Sequence, residues 1–426
     1  MTAPIATSQT ILVVGGGISG ITAALEAAEC GREVVLVERS PTLGGRSALL
    51  YRYFPKMCHP TCGLEINLRR LKGNRKVRVM TMVDVVRIEG QRGAYTATLK
   101  LRPRYVNENC TACGDCATAI SAEIPNAYNY GQGSIKAAHL PFAMAYPQRY
   151  VLDPSLIGTE EAQKAKAACK VGAIDLAMQE ETVELSVGAV VWATGWKPYD
   201  AAKIQPYGYD RFPNVITSVE FERLADPSGP TGGKLLRPSD GQEAKNIAFI
   251  QCAGSRDENH LRHCSRICCM ASLKQTHYVR EAHGEAGKST IYYIDIRAID
   301  RFEDFYQAVQ RDPTVTFVKS KVASIEAAAN GDLVLHGVDT EGYHRYASTH
   351  ELVVLAIGME PEANGIALPD DVIRDSSGFI EGSADGGMLG AGAAASPLDV
   401  NRAVQSATGA ALRAIKVIHQ TAGEEA

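Results

Sequence analysis

Short apolar runs recur along this chain, each closed by glycine or a polar turn and followed by helical spacing. Ile11–Val14 reads as a buried strand. The turn Gly15-Gly16-Gly17-Ile18-Ser19-Gly20 then opens a helix running to about Glu29. Gly31 ends that helix, and Glu33–Val37 predicts the next strand, ending at Glu38. Val77–Met82 predicts another strand, and Val85–Glu89 with Tyr95–Leu101 a hairpin. Val187–Ala193 is an apolar strand that runs into Ala193-Thr194-Gly195. A second cycle starts at Asn246–Ile250. It continues through a helix Cys268–Ala282, a strand Thr290–Ile296, a helix Phe302–Gln310 and strands Val315–Val318 and Leu352–Ile357. The glycine-rich Gly386–Ala391 and a helix from Val400 to Gln420 close the pattern. Strands alternating with helices predict an α/β chain with mostly parallel, doubly wound sheets. Two stretches break the rhythm: Pro103–Met178, of poor periodicity, and Pro198–Gly241, read as a long connector rich in Pro and Gly.

Composition narrows the picture. With 426 residues, 45% of them hydrophobic and 22% charged, the chain is of ordinary globular make-up and long enough for about three domains. A net charge of −4 offers no basic footprint for nucleic acid. No apolar run approaches the roughly 20 residues of a membrane helix; Leu352–Gly358 is typical of the longest. Met1–Thr10 lacks a basic segment followed by an apolar one, so an uncleaved, cytoplasmic protein is expected. Eleven cysteines are many for a chain that needs no disulfide staples, and they cluster. Clustered cysteines without an export signal point to metal or redox chemistry.

Gly15-x-Gly17-x-x-Gly20 sits between a strand and a helix, the context in which this fingerprint binds a dinucleotide. The glycines permit the turn, the approach of a pyrophosphate and close helix–strand packing, and the helix start offers free amides. Ile18 and Ser19 supply that helix start. Glu38 is placed for ribose hydroxyls. The loop Leu43-Gly44-Gly45-Arg46 and the strand end Val191-Trp192-Ala193-Thr194-Gly195 resemble those of two-dinucleotide-domain flavoproteins of the thioredoxin reductase type. The resemblance implies FAD in the first fingerprint. It adds Arg39, Gly45, Arg46, Val83, Ala193, Thr194, Gly195, Gly392 and Ala393 as expected cofactor contacts. Met388-Leu389-Gly390-Ala391-Gly392 would return to the flavin, and Ala393 stands where such proteins often carry an acid, leaving backbone amides to make the contact. The second α/β cycle reads Gln251-Cys252-Ala253-Gly254-Ser255-Arg256-Asp257 after its strand, with no glycine fingerprint. Nicotinamide binding is not expected there.

Cys252, Cys264, Cys268 and Cys269 supply four thiols around a strand end and a helix start. Four thiolates suit a 4Fe–4S cluster, and adjacent cysteines are unusual for structural zinc. Buried packing cysteines are the alternative. Cys110-x2-Cys113-x2-Cys116 resembles the front of a bacterial ferredoxin motif, in which the fourth ligand comes from a distant segment. Cys169-Lys170-Val171-Gly172-Ala173-Ile174 has that form, so a second cluster on Cys110, Cys113, Cys116 and Cys169 is expected, with zinc or an empty degenerate site as alternatives. Cys58 and Cys62 are a redox dithiol, an added ligand pair or two buried thiols. Cys30, at a helix end, is read as packing. Lys274 is either a cation that stabilises reduced flavin or a solvated surface lysine. His263 and His277 have no identifiable partner.

Gln251–Asp257, Cys264-Ser265-Arg266-Ile267-Cys268-Cys269-Met270 and Tyr293-Ile294-Asp295-Ile296-Arg297-Ala298 resemble the signatures of the A-type subunits of heterodisulfide reductase. The resemblance runs from the first fingerprint to the last helix. It implies a thioredoxin-reductase-like flavoprotein with an inserted ferredoxin-like domain, carrying FAD and two 4Fe–4S clusters, one on Cys252, Cys264, Cys268 and Cys269. Expected boundaries are 1–102, 179–242 and 351–426 for the FAD domain, 103–178 for the insert and 243–350 for the cluster-bearing, nucleotide-type unit. Methanogen members run longer and add ferredoxin domains. The short form is similar to the heterodisulfide-reductase-like protein of bacterial sulfur oxidation, which implies B- and C-type subunits, a lipoate-binding protein and a homodimer, and argues against carrying over flavin-based bifurcation. Two rival readings are a stand-alone flavin disulfide reductase using Cys58 and Cys62, and a non-catalytic scaffold.

Overall fold

The computed structural model describes residues 6–363 and 367–424. It divides into two units: Met1–Ala48 with Thr61–Trp196 and Pro361–Ala426, and Leu49–Pro60 with Lys197–Glu360.

In the first unit, seven strands form one sheet in the order Val372–Arg374, Ile380–Ser383, Met388–Gly390, Ala189–Trp192, Thr10–Val14, Glu33–Glu38, Val77–Thr81. The last five run parallel. Alternation decides what each face meets. Ile11, Val13, Val34 and Leu36 pack on one side with residues of the helices Ile18–Glu29, Thr61–Gly73 and Val400–Glu424. Leu12, Val14, Val35 and Val37 pack on the other with Tyr95, Leu99, Leu185 and Val187, from the antiparallel strands Val83–Gln91, Ala94–Leu101 and Glu181–Val187. The helix Thr61–Gly73, not foreseen, buries Leu64, Leu68 and Leu71 at helical spacing. The single strand expected at Val187–Ala193 is two, since Gly188 separates Glu181–Val187 in the small sheet from Ala189–Trp192 in the large one.

Residues 102–180 leave the small sheet at Leu101 and return at Glu181, and these two residues are paired neighbours. The excursion has its own small core, with Val106, Ile120, Leu152, Leu156, Ala162, Ala165 and Ile174. Thr159 caps the helix Glu160–Ala168 by accepting from the Ala162 amide.

The second unit repeats the layer plan. Five parallel strands lie in the order Val215–Thr217, Leu352–Ile357, Asn246–Ala253, Lys288–Tyr293, Val315–Lys319. Helices Ser218–Ala225, Cys268–His283 and Glu303–Gln310 pack on one face, and the antiparallel strands Ser324–Ala327, Leu333–Asp339 and His344–His350 on the other. The Pro198–Gly241 connector therefore holds a sheet strand and a helix, the latter closed by a Thr217/Glu220 capping box. A hydrogen-bonded chain, buried at its Tyr292–His350 end, ties the small sheet to the large one. The amide of Asn246 donates to the Thr349 carbonyl, which leaves its oxygen to accept from His350 Nδ1 at 3.0 Å. Nε2 then accepts from the Tyr292 hydroxyl at 2.9 Å. Burial lowers the His350 pKa to about 4.

Candidate functional site

The glycine turn of the first unit is shaped by backbone crowding. Gly15 has φ +107°, and a Cβ there would lie 2.3 Å from the Ala193 carbonyl oxygen. A Cβ on Gly20 would lie 1.7 Å from the Gly15 carbonyl oxygen. Ala193 thus packs beneath the turn. The helix starting at Ile18 has no side-chain cap and no acid in its first turn, so its amides are free for an anion. The Glu38 carboxylate accepts from the Gly16 amide at 2.6 Å and the Ser40 amide at 2.7 Å, and so braces the turn at the end of its strand. Gly45 crosses over Gly17, where an added Cβ would meet the Gly17 Cα at 2.8 Å. Gly392 has φ +61° and leaves no room for a Cβ beside the Ser19 hydroxyl, 1.9 Å away; Ala393 next to it is buried. Thr194 Oγ1 is buried with no hydrogen-bond partner among the described residues, while Gly195 beside it has open space. An orphaned hydroxyl, free amides and glycines that admit close approach fit a dinucleotide.

Other expected contacts have defined places. Arg39 and Arg46 both pair with Glu362, at 2.7 and 3.2 Å, and the Arg46 Nε donates to the Trp196 carbonyl. Glu362 is not singled out by sequence. Val83 is a core residue beside Val14. The excursion bonds to the chain on both sides of the Leu43–Arg46 loop and to Leu43 itself. The Leu43 amide donates to the Tyr146 carbonyl at 2.9 Å, the Tyr128 hydroxyl to the Ala48 carbonyl at 2.6 Å, and the buried Arg104 guanidinium to the Pro41 carbonyl and to Thr81 Oγ1.

Within the excursion, Cys110, Cys113, Cys116 and Cys169 line one hollow, walled also by Val106, Tyr150 and Ile174. Ala112, at φ 55°, turns its amide back to the Cys110 sulfur at 3.4 Å, and the Ala173 amide reaches the Cys169 sulfur at 3.2 Å. Burial, then the charges of Cys110 and Cys113, push the Cys116 thiol up to about 11. In the second unit the same turn recurs. Arg266, at φ 64°, directs its amide to the Cys264 sulfur at 3.3 Å. Cys268 and Cys269 open a helix of 16 residues with no side-chain cap. Burial drives both thiols up, Cys269 to about 11, and mutual repulsion with Cys252 and Cys264 adds to it. Among the described residues no His, Cys, Asp and Glu stand together in a group of three or more at metal-binding spacing. Both sets still fit an iron–sulfur centre by donor chemistry: each offers four soft sulfur ligands and at least one backbone amide turned to a sulfur.

Four readings change. Lys274 is not a solvated lysine: it is 2% exposed, pairs with Glu222 at 2.8 Å and donates to the Arg52 carbonyl at 2.7 Å. Burial lowers its pKa and Glu222 opposes that. Cys58 and Cys62 are not buried thiols; both are exposed, as is Cys30, so Cys30 does no packing. Cys58 belongs to the Leu49–Pro60 segment of the second unit, and Cys62 opens the helix Thr61–Gly73 of the first. His263 has a partner, the Met359 carbonyl at 2.8 Å, whereas His277 Nε2 is buried with none among the described residues.

The fold of the chain is that of thioredoxin-reductase-like FAD flavoproteins. Thioredoxin reductase from T. acidophilum aligns with TM-score 0.52 at 13% identity, covering 97% of this chain and 99% of that one. Thioredoxin reductase from Lactococcus lactis aligns equally well, covering 98% and 99%. Residues 10–60 match the family described as FAD dependent oxidoreductase. Along nearly its whole length the chain is similar to A-type subunits of heterodisulfide reductase. It is 36% identical to one of the A-type CoB–CoM heterodisulfide reductase iron-sulfur subunits of Methanopyrus kandleri, over 97% of this chain and 65% of that protein. The A-type iron-sulfur protein of the same enzyme from Methanocaldococcus jannaschii is also 36% identical, over 95% and 63%. The chain thus spans a little under two-thirds of the length of these relatives. Among the described residues no helix is long and apolar enough to cross a membrane.

Proposed function

We propose that the chain is the electron-transferring oxidoreductase component of a larger complex, holding FAD in its first unit and a 4Fe–4S cluster at each four-cysteine set. When bound, the flavin supplies coupled one- and two-electron chemistry and each cluster a one-electron store. Gly15, Gly17, Ile18, Ser19 and Gly20 would bind the pyrophosphate, with Glu38 turned to the ribose. Thr194, Gly195, Gly392 and Ala393 would meet the rest of the cofactor. Cys110, Cys113, Cys116 and Cys169 would hold one cluster, and Cys252, Cys264, Cys268 and Cys269 the other. The observation that carries the reading is the replacement of a second glycine fingerprint by a cysteine-bearing loop after the equivalent strand, Asn246–Ala253, in which the Arg266 amide is turned toward the Cys264 sulfur. The M. kandleri relative carries iron-sulfur in its name, which supports the metal.

The proposed setting is a cytoplasmic complex of sulfur oxidation, with B- and C-type subunits, a lipoate-binding protein and a second copy of the chain. Flavin, iron and acid-labile sulfide analysis of anaerobically purified protein, with EPR after reduction, tests the reading. One FAD and about eight irons per chain are expected; FAD without iron would sink it.

A further inference from the structure

Arg256 lies beside the four-cysteine set of the second unit. It follows Cys252 by four positions, and its guanidinium reaches the Cys252 sulfur at 3.9 Å. The same NH1 pairs with Asp295, two positions past the strand Lys288–Tyr293, and Arg297 Nε lies 3.5 Å from that carboxylate. The Cys269 thiol faces the Asp295 backbone carbonyl at 3.8 Å. Both Cys252 and Arg256 take left-handed backbone angles, φ 55° and 54°, which non-glycine residues adopt at a cost. The loop holds them there. The Arg256 amide donates to the His263 carbonyl at 3.2 Å, the Ser255 and Ser265 hydroxyls lie 2.8 Å apart, and Asp257 pairs with Lys321 at 2.7 Å. The guanidinium is thus fixed against one ligand sulfur and is only 23% exposed.

We propose that Arg256 sets the reduction potential of the Cys252–Cys269 centre, with Asp295 as the counter-charge that limits its effect. The inference rests on the reading of these four cysteines as a cluster site. Reduction adds one electron and one negative charge to the thiolate-ligated centre and breaks no bond. A fixed cation beside a ligand sulfur stabilises the more negative state, and a hydrogen bond to that sulfur acts in the same sense. Asp295, bonded to the same nitrogen, draws that charge partly away. Arg256 is therefore a positioning residue for charge, acting through Cys252.

EPR-monitored redox titration of the whole protein, with dithionite as reductant, tests this. Arg256→Gln should move one cluster signal to lower potential by about tenfold in the reduction equilibrium, ~59 mV for one electron. The signal of the excursion's cluster should stay in place. Arg256→Lys should restore more than half of the shift. Asp295→Asn, which keeps the arginine, should move the same signal the opposite way and serves if the glutamine variant does not fold. Iron present with both cluster signals unmoved in Arg256→Gln and Asp295→Asn would overturn the proposal alone. Absence of iron in the native protein would overturn the cluster reading and the proposal with it.

Discussion

After Thr10–Val14 in the first unit the chain turns on glycines; at the end of Asn246–Ala253 in the second, left-handed angles fall on Cys252, inside the strand, and on Gly254 and Arg256 just past it. Both strands lie between parallel neighbours, in sheets with helices on one face and three antiparallel strands on the other. Each sheet also places an acid at or just past the end of the neighbouring strand. In the first unit Glu38 accepts the Gly16 amide; in the second Asp295 takes the Arg256 guanidinium. The frame is thus indifferent to the ligand. On the proposed assignment, a handful of loop residues decides whether the strand end presents amides to phosphate or thiolates to iron.

That comparison can be broken in several ways. The largest effect is expected from Gly20→Val, which puts a branched side chain into the Gly15 carbonyl. Bound FAD should be lost completely while second-unit iron remains, as read by flavin absorbance and iron assay. Cys268→Ser should do the converse, removing about half of the iron and sparing FAD. Equal loss of both groups in either variant would mean that the two edges are not independent.

Stability separates the units further. Glu222→Gln leaves the Lys274 ammonium buried without its counter-charge, for an expected cost of about 3–5 kcal/mol. Denaturant unfolding should show the second unit's transition moving and the first unit's staying. Removing both charges in Glu222→Gln/Lys274→Met should recover much of the loss. His350 gives the second unit an acid sensitivity. Its folded pKa, about 4, lies below the ordinary histidine value of 6.5, so protons favour the unfolded chain. Its contribution is full above pH 6.5 and falls by roughly 3 kcal/mol between pH 7 and pH 4. Stability curves for His350→Gln should be flatter by that amount; an unchanged acid slope would remove histidine as the cause. The smallest effect concerns Glu38→Ala, expected to weaken FAD binding about tenfold, or ~1.4 kcal/mol, by fluorescence titration.

Strand ends, glycine turns and cysteine spacings are legible because each writes its chemistry locally. Cys169 can be joined to Cys110, Cys113 and Cys116 by motif form, and all four line one hollow. The helix Ser218–Ala225 is not legible. Its buried side includes Glu222 and Arg223, which pattern reading assigns to solvent. Their partners explain the burial: Lys274, Gln275 and Tyr278 for Glu222, and Asp226 with the Leu49 carbonyl for Arg223. The burial of Lys274 is hidden for the same reason, since a buried ion pair joins residues 52 positions apart and leaves no period. The helix Thr61–Gly73 does carry a signal, in the spacing of Leu64, Leu68 and Leu71.

The pairing of Leu101 with Glu181 has an evolutionary consequence. A graft that starts and finishes on adjacent rungs of one ladder leaves the register of its host unchanged. The intervening 79 residues (102–180) can be gained, shortened or exchanged as a cassette, and the junction reverts to a hairpin turn. If the excursion holds the proposed cluster, an electron carrier can be added to a flavin fold by one insertion, with no change in the sheet that receives it.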